Sequence, residues 1–335
     1  MISQGALSSS RIVITGAQGY VGSALALRFA DKVHALRLVS RTHDGGPNAG
    51  GLPGHIEHVA THLQEEENWL SIIADADAVV HLSARTNLRA AEANPTEDKL
   101  LNVEPVRALV RAVSRIRPSR LTVVFASTVT IVGDRHENPV NERTPDNPVS
   151  VYDRHKLECE QILADATERG LMQACSLRLS NVYGGDLASQ NTNRGILNSM
   201  IRNALRGEPI TIFGDGHYVR DFIHLDDVID AFYCALSCER TRNGRHYVVA
   251  TGKGTTLTDI FSLVAREVSR VTRRLVELRY VSEPKNLHVI ERRNFVGNSK
   301  LFQTEAGWKP RIDLESGIRR TIKQVFVAPE TRPMH

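Results

Sequence analysis

Cysteine is scarce in this chain: four in 335 residues, at positions 159, 175, 234 and 238. Cys234 and Cys238 stand four apart on an expected helix, and no His or Cys partner completes a metal-ligand pattern. No metal site is expected, and all four cysteines are read as small core or helix residues in a reducing compartment. No apolar run reaches 18 residues and no signal peptide opens the chain, so no membrane partner is expected and the cytoplasm is the expected location. Charge of one sign is not in excess either: 42 Lys and Arg face 38 Asp and Glu, a formal net charge of +4. The basic residues are scattered rather than striped, which argues against a nucleic-acid partner. No internal repeat or long linker interrupts the chain.

What is present begins at Arg11-Ile12-Val13-Ile14-Thr15-Gly16-Ala17-Gln18-Gly19-Tyr20-Val21-Gly22. An apolar run enters three glycines spaced G-x-x-G-x-x-G, and a helical period continues from Ser23 to Asp31. In a strand-turn-helix context Gly16 permits the turn, Gly19 lets backbone amides approach a pyrophosphate, and Gly22 lets helix pack on strand. Tyr20 and Val21 lie inside the same turn and are counted with it. The positive end of the following helix favours the phosphates. A dinucleotide cofactor is therefore expected, a glycine-tight structural crossover being the alternative.

The second strand, 33–40, ends in Ser40-Arg41, and the nearest acid, Asp44, lies beyond it. An NAD site wants an acid at this end to accept the ribose hydroxyls, whereas an arginine attracts a 2′-phosphate. NADP(H) is thus the expected cofactor. Residues 43–54 read as a Gly/Pro-rich surface excursion. Further strands are expected at 56–60, 77–82, 121–126 and 173–179, and helices at 65–74, 87–94, 98–114 and 151–169. The strand at 121–126 is an unbroken apolar run, suited to a sheet covered on both faces. This alternation argues an α/β fold with a doubly wound parallel sheet. Leu82, Ser83 and Ala84 close the fourth strand where a cofactor needs room.

After Asn181 the texture changes. Residues 187–194 read as polar loop, and 214–222, with Gly214, Gly216 and Arg220, as another. Helices at 195–206, 226–237, 257–270 and 313–326 and strands at 209–213, 245–250 and 276–281 complete a smaller mixed region. The expected division is 10–181 for the dinucleotide and 182–328 for substrate, with excursions back to the sheet.

Tyr152 and Lys156 stand i,i+4 and share one helix face. A free phenol has a pKa of ~10, and a nearby ammonium stabilises its phenolate. The pair can therefore move a proton to or from a substrate oxygen. Thr128 supplies a hydroxyl at a strand end, where open α/β sites lie. Ser127 is the neighbouring candidate, which chemistry alone does not exclude.

These pieces together resemble the extended short-chain dehydrogenase/reductases that act on nucleotide sugars, over about 10–326. The resemblance is carried by ITGAQGYVG (14–22), VVHLSA (79–84), FASTVTIVG (125–133), YDRHK (152–156), LRLSNVYG (177–184), GDGHYVRDFIHLDDV (214–228) and GNSKLFQTEAGWKPRIDLESGIRRTI (297–322). It implies a Rossmann sheet, a homodimer, and a catalytic triad of Thr128, Tyr152 and Lys156. It also implies Asn102 beside the catalytic lysine and Asn181 near the sugar-nucleotide diphosphate. Arg220 with Arg292 or Arg293 would grip that diphosphate. A salt bridge from Arg220 to Asp221 or Asp226 is the structural alternative.

Within the family, dehydratases carry an acid after the triad threonine. Here Thr128-Val129-Thr130 follows, so dehydration is not expected. The wording FASTVTIVG and VYDRHKLECEQIL looks like bacterial 4-ketoreductases of deoxysugar biosynthesis. The leading expectation is therefore NADPH-dependent reduction of the C4 ketone of a dTDP-linked 4-keto-6-deoxyhexose. The alternatives are a nucleotide-sugar epimerase and, from another class, a non-catalytic nucleotide sensor.

Overall fold

The computed structural model of the protein describes residues 7–42, 55–116, 121–134, 137–185, 195–284 and 289–327. The chain opens with β1 (Arg11–Thr15), α1 (Tyr20–Phe29), β2 (Ala35–Ser40), β3 (Ile56–Ala60), α2 (Glu66–Ile73) and β4 (Ala78–His81). Then come α3 (Leu88–Ala93), α4 (Pro95–Asn102), α5 (Glu104–Arg115), β5 (Thr122–Thr128), α6 (Val151–Glu168) and β6 (Gln173–Leu179). The second half holds β7 (Asn181–Tyr183), α7 (Ile196–Leu205), β8 (Ile210–Phe213), β9 (Val219–His224), α8 (Leu225–Ser237) and β10 (His246–Val249). It ends with β11 (Gly254–Thr256), α9 (Leu257–Thr272), β12 (Leu278–Val281), α10 (Lys300–Ala306) and α11 (Leu314–Val327). The expected excursions at 43–54 and 187–194, Asp44 included, lie outside the described residues.

Among the described residues, seven strands pair in the order β10-β6-β5-β4-β1-β2-β3, all parallel. This is the doubly wound Rossmann sheet expected. The strand order reverses between β1 and β4, so a crevice opens there at the carboxyl ends of the strands. The pleat explains the apolar runs. Ile12, Ile14 and Val124 turn to one face and pack with Leu25, Phe29 and Phe232 of α1 and α8. Val13, Val123 and Phe125 turn to the other and pack with Trp69, Leu109 and Leu163 of α2, α5 and α6. A strand covered on both faces has no polar side to show.

Several boundaries differ from expectation for local reasons. The helix expected over 98–114 is two, α4 and α5, broken at Val103, with Pro105 in the first turn of α5. A proline nitrogen has no hydrogen to continue the ladder. The expected loop through Arg220-Asp221-Phe222 is instead strand β9, held between β7 and β11 in a small second sheet. Its partners are three residues long each, too short to announce themselves by pattern. A parallel pair, β8 with β12, packs with α7, α9 and α11 around Ile201, Ile210, Phe261 and Ile318. β10 lies in the large sheet beside β6.

Ahead of β1, Leu7 is buried, and the Ser10 carbonyl accepts from the amides of His34 and Ala35. Cys159, Cys175 and Cys234 are buried free thiols, and Cys238 is a half-buried one. Among the described residues no helix is long and apolar enough to cross a membrane.

Candidate active site

The glycine turn sits at the strand-order reversal. Gly16 adopts φ +67°, and a Cβ there would lie 2.8 Å from the amide nitrogen of Ser83. A Cβ on Gly22 would lie 2.2 Å from the Gly16 carbonyl oxygen. The first glycine is thus demanded by the chain leaving β4, the third by the helix folding back on its own turn. Thr15 Oγ1 accepts from the amides of Leu82 at 3.2 Å and Ser83 at 3.3 Å and meets His81 Nδ1 at 2.8 Å. Burial, with the Lys156 charge adding to it, holds His81 down to about 3, so its ring is neutral. These bonds place Leu82, Ser83 and half-buried Ala84 along the floor of the crevice.

Helix α1 starts at Gly19 with no side-chain cap and no acid in its first turn. Its first amides therefore keep unsatisfied hydrogens at the crevice, which suits a diphosphate. The residues present fit a dinucleotide. Tyr20 takes a different part from the one its place in the turn suggested. Its phenol is buried and donates to the Gly184 carbonyl at 2.7 Å, so it stitches the turn to the chain after β7. Val21 is half-buried on α1.

At the end of β2, Ser40 Oγ donates to the Thr42 carbonyl at 2.6 Å and Gln18 Nε2 donates to the same oxygen at 2.9 Å. Arg41 is exposed.

Ser150 caps α6 by accepting from the Asp153 amide at 3.0 Å, and Tyr152 and Lys156 follow one turn apart. Lys156 is buried and donates to the Ala126 carbonyl at 2.8 Å. Its Nζ lies 5.8 Å from the centre of the Tyr152 ring. Burial lowers the ammonium to about 8, against the pull of Cys159, Glu160 and Asp98. The geometry separates the two hydroxyl candidates. Ser127 is buried and donates to Glu160, whose carboxylate is forked by Arg178 Nε at 2.9 Å and Nη2 at 2.6 Å. Thr128 is half-buried and bonds Thr130 Oγ1 at 2.8 Å. Tyr152, Lys156 and Thr128 are thus gathered where β5 ends.

Asn102 acts on the backbone. It accepts from the Arg85 amide at 2.7 Å and donates to the Arg85 carbonyl at 3.1 Å and to Asp98 at 3.0 Å. Asp98 in turn meets His155 Nδ1 at 2.7 Å, so the segment after β4 is tied to α6. Asn181 begins β7, and its Oδ1 is buried without a hydrogen-bond partner.

Of the arginines, Arg220 and Arg293 are buried and Arg292 is not. Arg220 donates to the carbonyls of Arg293 and Glu291, and no ion pair to Asp221 or Asp226 forms. Asp221 is taken up by the Thr251 hydroxyl and by the amides of Thr251, Gly252 and Gly297. Burial and then the neighbouring Arg293 lower Arg220 to about 9, and burial lowers Arg293 to about 10. Arg293 Nη1 donates to the Ile290 carbonyl at 2.9 Å while its Nε has no partner. Arg292 sits on the surface and pairs with Glu283 at 3.1 Å.

Sequence reasoning missed Asp153, which accepts from Thr130, and the Glu160–Arg178 pair. For the pair a signal existed: Arg178 interrupts the apolar strand Ala174-Cys175-Ser176-Leu177-Arg178-Leu179, and a charge there needs a buried partner. Asp153 lies in plain view beside Tyr152, yet nothing local distinguishes it from a surface acid.

A sequence model described as the NAD dependent epimerase/dehydratase family matches residues 12–250. The chain is similar to a UDP-glucose 4-epimerase of Mycolicibacterium smegmatis, 26% identical over 93% of this chain and 97% of that one. It is also similar to a dTDP-glucose 4,6-dehydratase of the same organism, 28% identical over 93% and 92%. The crystal structure of a UDP-glucose 4-epimerase with UDP-glucose from Thermotoga maritima superposes with a TM-score of 0.81, at 25% identity over 94% and 98%.

These matches overturn two expectations. NADPH-dependent reduction of a dTDP-linked 4-keto-6-deoxyhexose gives way to NAD-dependent nucleotide-sugar epimerase/dehydratase chemistry. NADP(H) gives way to NAD, the dinucleotide of the matched family. The physical reason lies at the end of β2. A 2′-phosphate site needs donors that converge, whereas the Ser40 hydroxyl is bonded to the Thr42 carbonyl and Arg41 is exposed.

Proposed function

The chain belongs to the NAD dependent epimerase/dehydratase family, and on that footing we propose that it interconverts nucleotide-linked hexoses differing in configuration at C4. The carrying observation is the Tyr152–Lys156 pair, one helical turn apart at the carboxyl end of β5, beside the uncapped start of α1. Gly16, Gly19, Gly22 and the backbone at 82–84 would hold NAD, which when bound would supply reversible hydride chemistry.

The chain's own residues then have these tasks. Tyr152 accepts the C4 hydroxyl proton and gives it back, its phenolate favoured by the Lys156 ammonium. Thr128 lies at the same oxygen. Arg220 and Arg293 offer planar forks to the diphosphate, which would supply the anionic partner both lack. Asn181 offers its unpartnered oxygen to a donor on the sugar nucleotide. Elimination of water needs a further acid and base at the end of β5. Val129 is buried and Thr130 is bonded to Asp153, so the epimerase is favoured over the dehydratase. In this reading 10–181 carries dinucleotide and proton transfer, and 182–328 closes over the nucleotide sugar.

The test is incubation with UDP-glucose, followed by NMR of the sugar. Formation of UDP-galactose with no net change in reduced nicotinamide is expected. Tyr152→Phe should slow turnover about 100- to 10,000-fold while UDP-sugar binding persists. Stoichiometric oxidation of added NADH, or a 4-keto-6-deoxy product, would refute the assignment.

A further inference from the structure

A chain of hydroxyls leads away from Thr128. Its Oγ1 lies 2.8 Å from Thr130 Oγ1 and accepts from the Thr130 amide at 3.2 Å, and Thr130 Oγ1 donates to the carboxylate of Asp153. Each threonine has one hydroxyl proton to give, and an ionised carboxylate can only accept. Asp153 is wholly buried, and its charge is felt by buried Arg293 without an ion pair between them. The proton of Thr130 is therefore committed to Asp153. Thr130 oxygen is left as an acceptor, and the bond between the threonines must run from Thr128 to Thr130. Thr128 then has its proton spent and one lone pair occupied by the Thr130 amide. It keeps one lone pair and no donor.

We propose that Asp153 is a positioning residue which, through Thr130, fixes Thr128 as a hydrogen-bond acceptor, so that the site holds the sugar as alcohol in preference to ketone. The inference rests on the epimerase reading and deepens it. A hydroxyl at C4 can donate to Thr128, whereas a ketone oxygen meets another acceptor there and has Tyr152 as its donor. The ketone is thus tethered by one hydroxyl rather than two, which leaves it freer to turn over before it is reduced. Proton transfer runs directly between the sugar oxygen and Tyr152, with no relay through Thr128.

The experiment uses the full-length enzyme with its bound nicotinamide. UDP-glucose is added, and the ratio of reduced to oxidised bound cofactor is read by absorbance once it stops changing. Thr130→Val removes the acceptor, frees the Thr128 proton for the ketone, and should raise that ratio about fivefold. Thr130→Ser keeps the hydroxyl and should match the wild type. A ratio unchanged in Thr130→Val, or raised equally in Thr130→Ser, would overturn the proposal. Neutron diffraction of the deuterated enzyme reads the same point without substrate. A deuteron on Thr128 directed at Thr130 supports the inference, and one on Thr130 directed at Thr128 refutes it. Should the wild type reduce no cofactor with UDP-glucose, the epimerase reading would fall. The deuteron positions would still decide the polarity of the hydroxyls.

Discussion

Lys156 on α6 donates to the carbonyl oxygen of Ala126 on β5 at 2.8 Å, with its Nζ 4.4 Å from the centre of the Phe125 ring. That bond fixes helix to strand end, and so sets Tyr152, one turn earlier, over the same edge as Thr128. It also carries a cost. The charge is buried, and its ordinary value of 10.5 falls to about 8.

The consequence is a pH dependence of folding. The folded amine releases its proton near pH 8 and the unfolded one near 10.5. Between those values the unfolded chain binds more protons, so stability rises with pH across that window. Lys156→Met removes the contribution. Urea melts at a series of pH values should show the wild type gaining on the variant from about pH 8 to 10. A constant difference would mean that the amine is not held down.

The Glu160–Arg178 pair gives a second expectation. Burial opposes the Arg178 charge, but its bonds to Glu160 and then Asp146 outweigh burial and hold it above its usual range. Arg178→Met leaves Glu160 buried without its counter-charge and should destabilise by about 3–5 kcal/mol. Adding Glu160→Leu should recover much of that loss, because an apolar pair has no charge to desolvate. Equal melting of single and double variants would show that the loss comes from packing.

The two adjacent arginines should behave differently. Arg293 is buried with an unpartnered Nε, whereas Arg292 is exposed and paired with Glu283. Arg293→Met should raise the KM for UDP-glucose about tenfold or more with little change in kcat, the loss of a charge-assisted bond to phosphate. Arg292→Met should leave KM near the wild-type value. Steady-state kinetics on both variants decides it, and the reverse order would move the phosphate contact to the surface arginine.

Much of the site was legible because its parts are local. The glycine turn, the i,i+4 spacing of Tyr152 and Lys156, and the apolar strands each depend on residues within one or two turns of chain. Ser127 and Thr128 were not separable in sequence. Successive strand residues point to opposite faces, and what waits on each face comes from elsewhere in the chain. The strand β9 does not show in the sequence pattern because its two partners, at 181–183 and 254–256, are short and distant in sequence. Arg41 misled for the related reason that a charge at a strand end makes no pocket unless other donors turn toward it.

By itself, then, the sequence determined a dinucleotide-binding parallel sheet and a phenol beside an ammonium, since backbone geometry and helical period are written in near neighbours. The tertiary structure alone decided which hydroxyl stands in the site, which arginines are buried without an ionic partner, and that Asp153 reaches Thr130. Those facts depend on side chains from separate elements meeting at one sheet edge, where a difference of one residue in facing direction exchanges a core contact for a place in the proposed site.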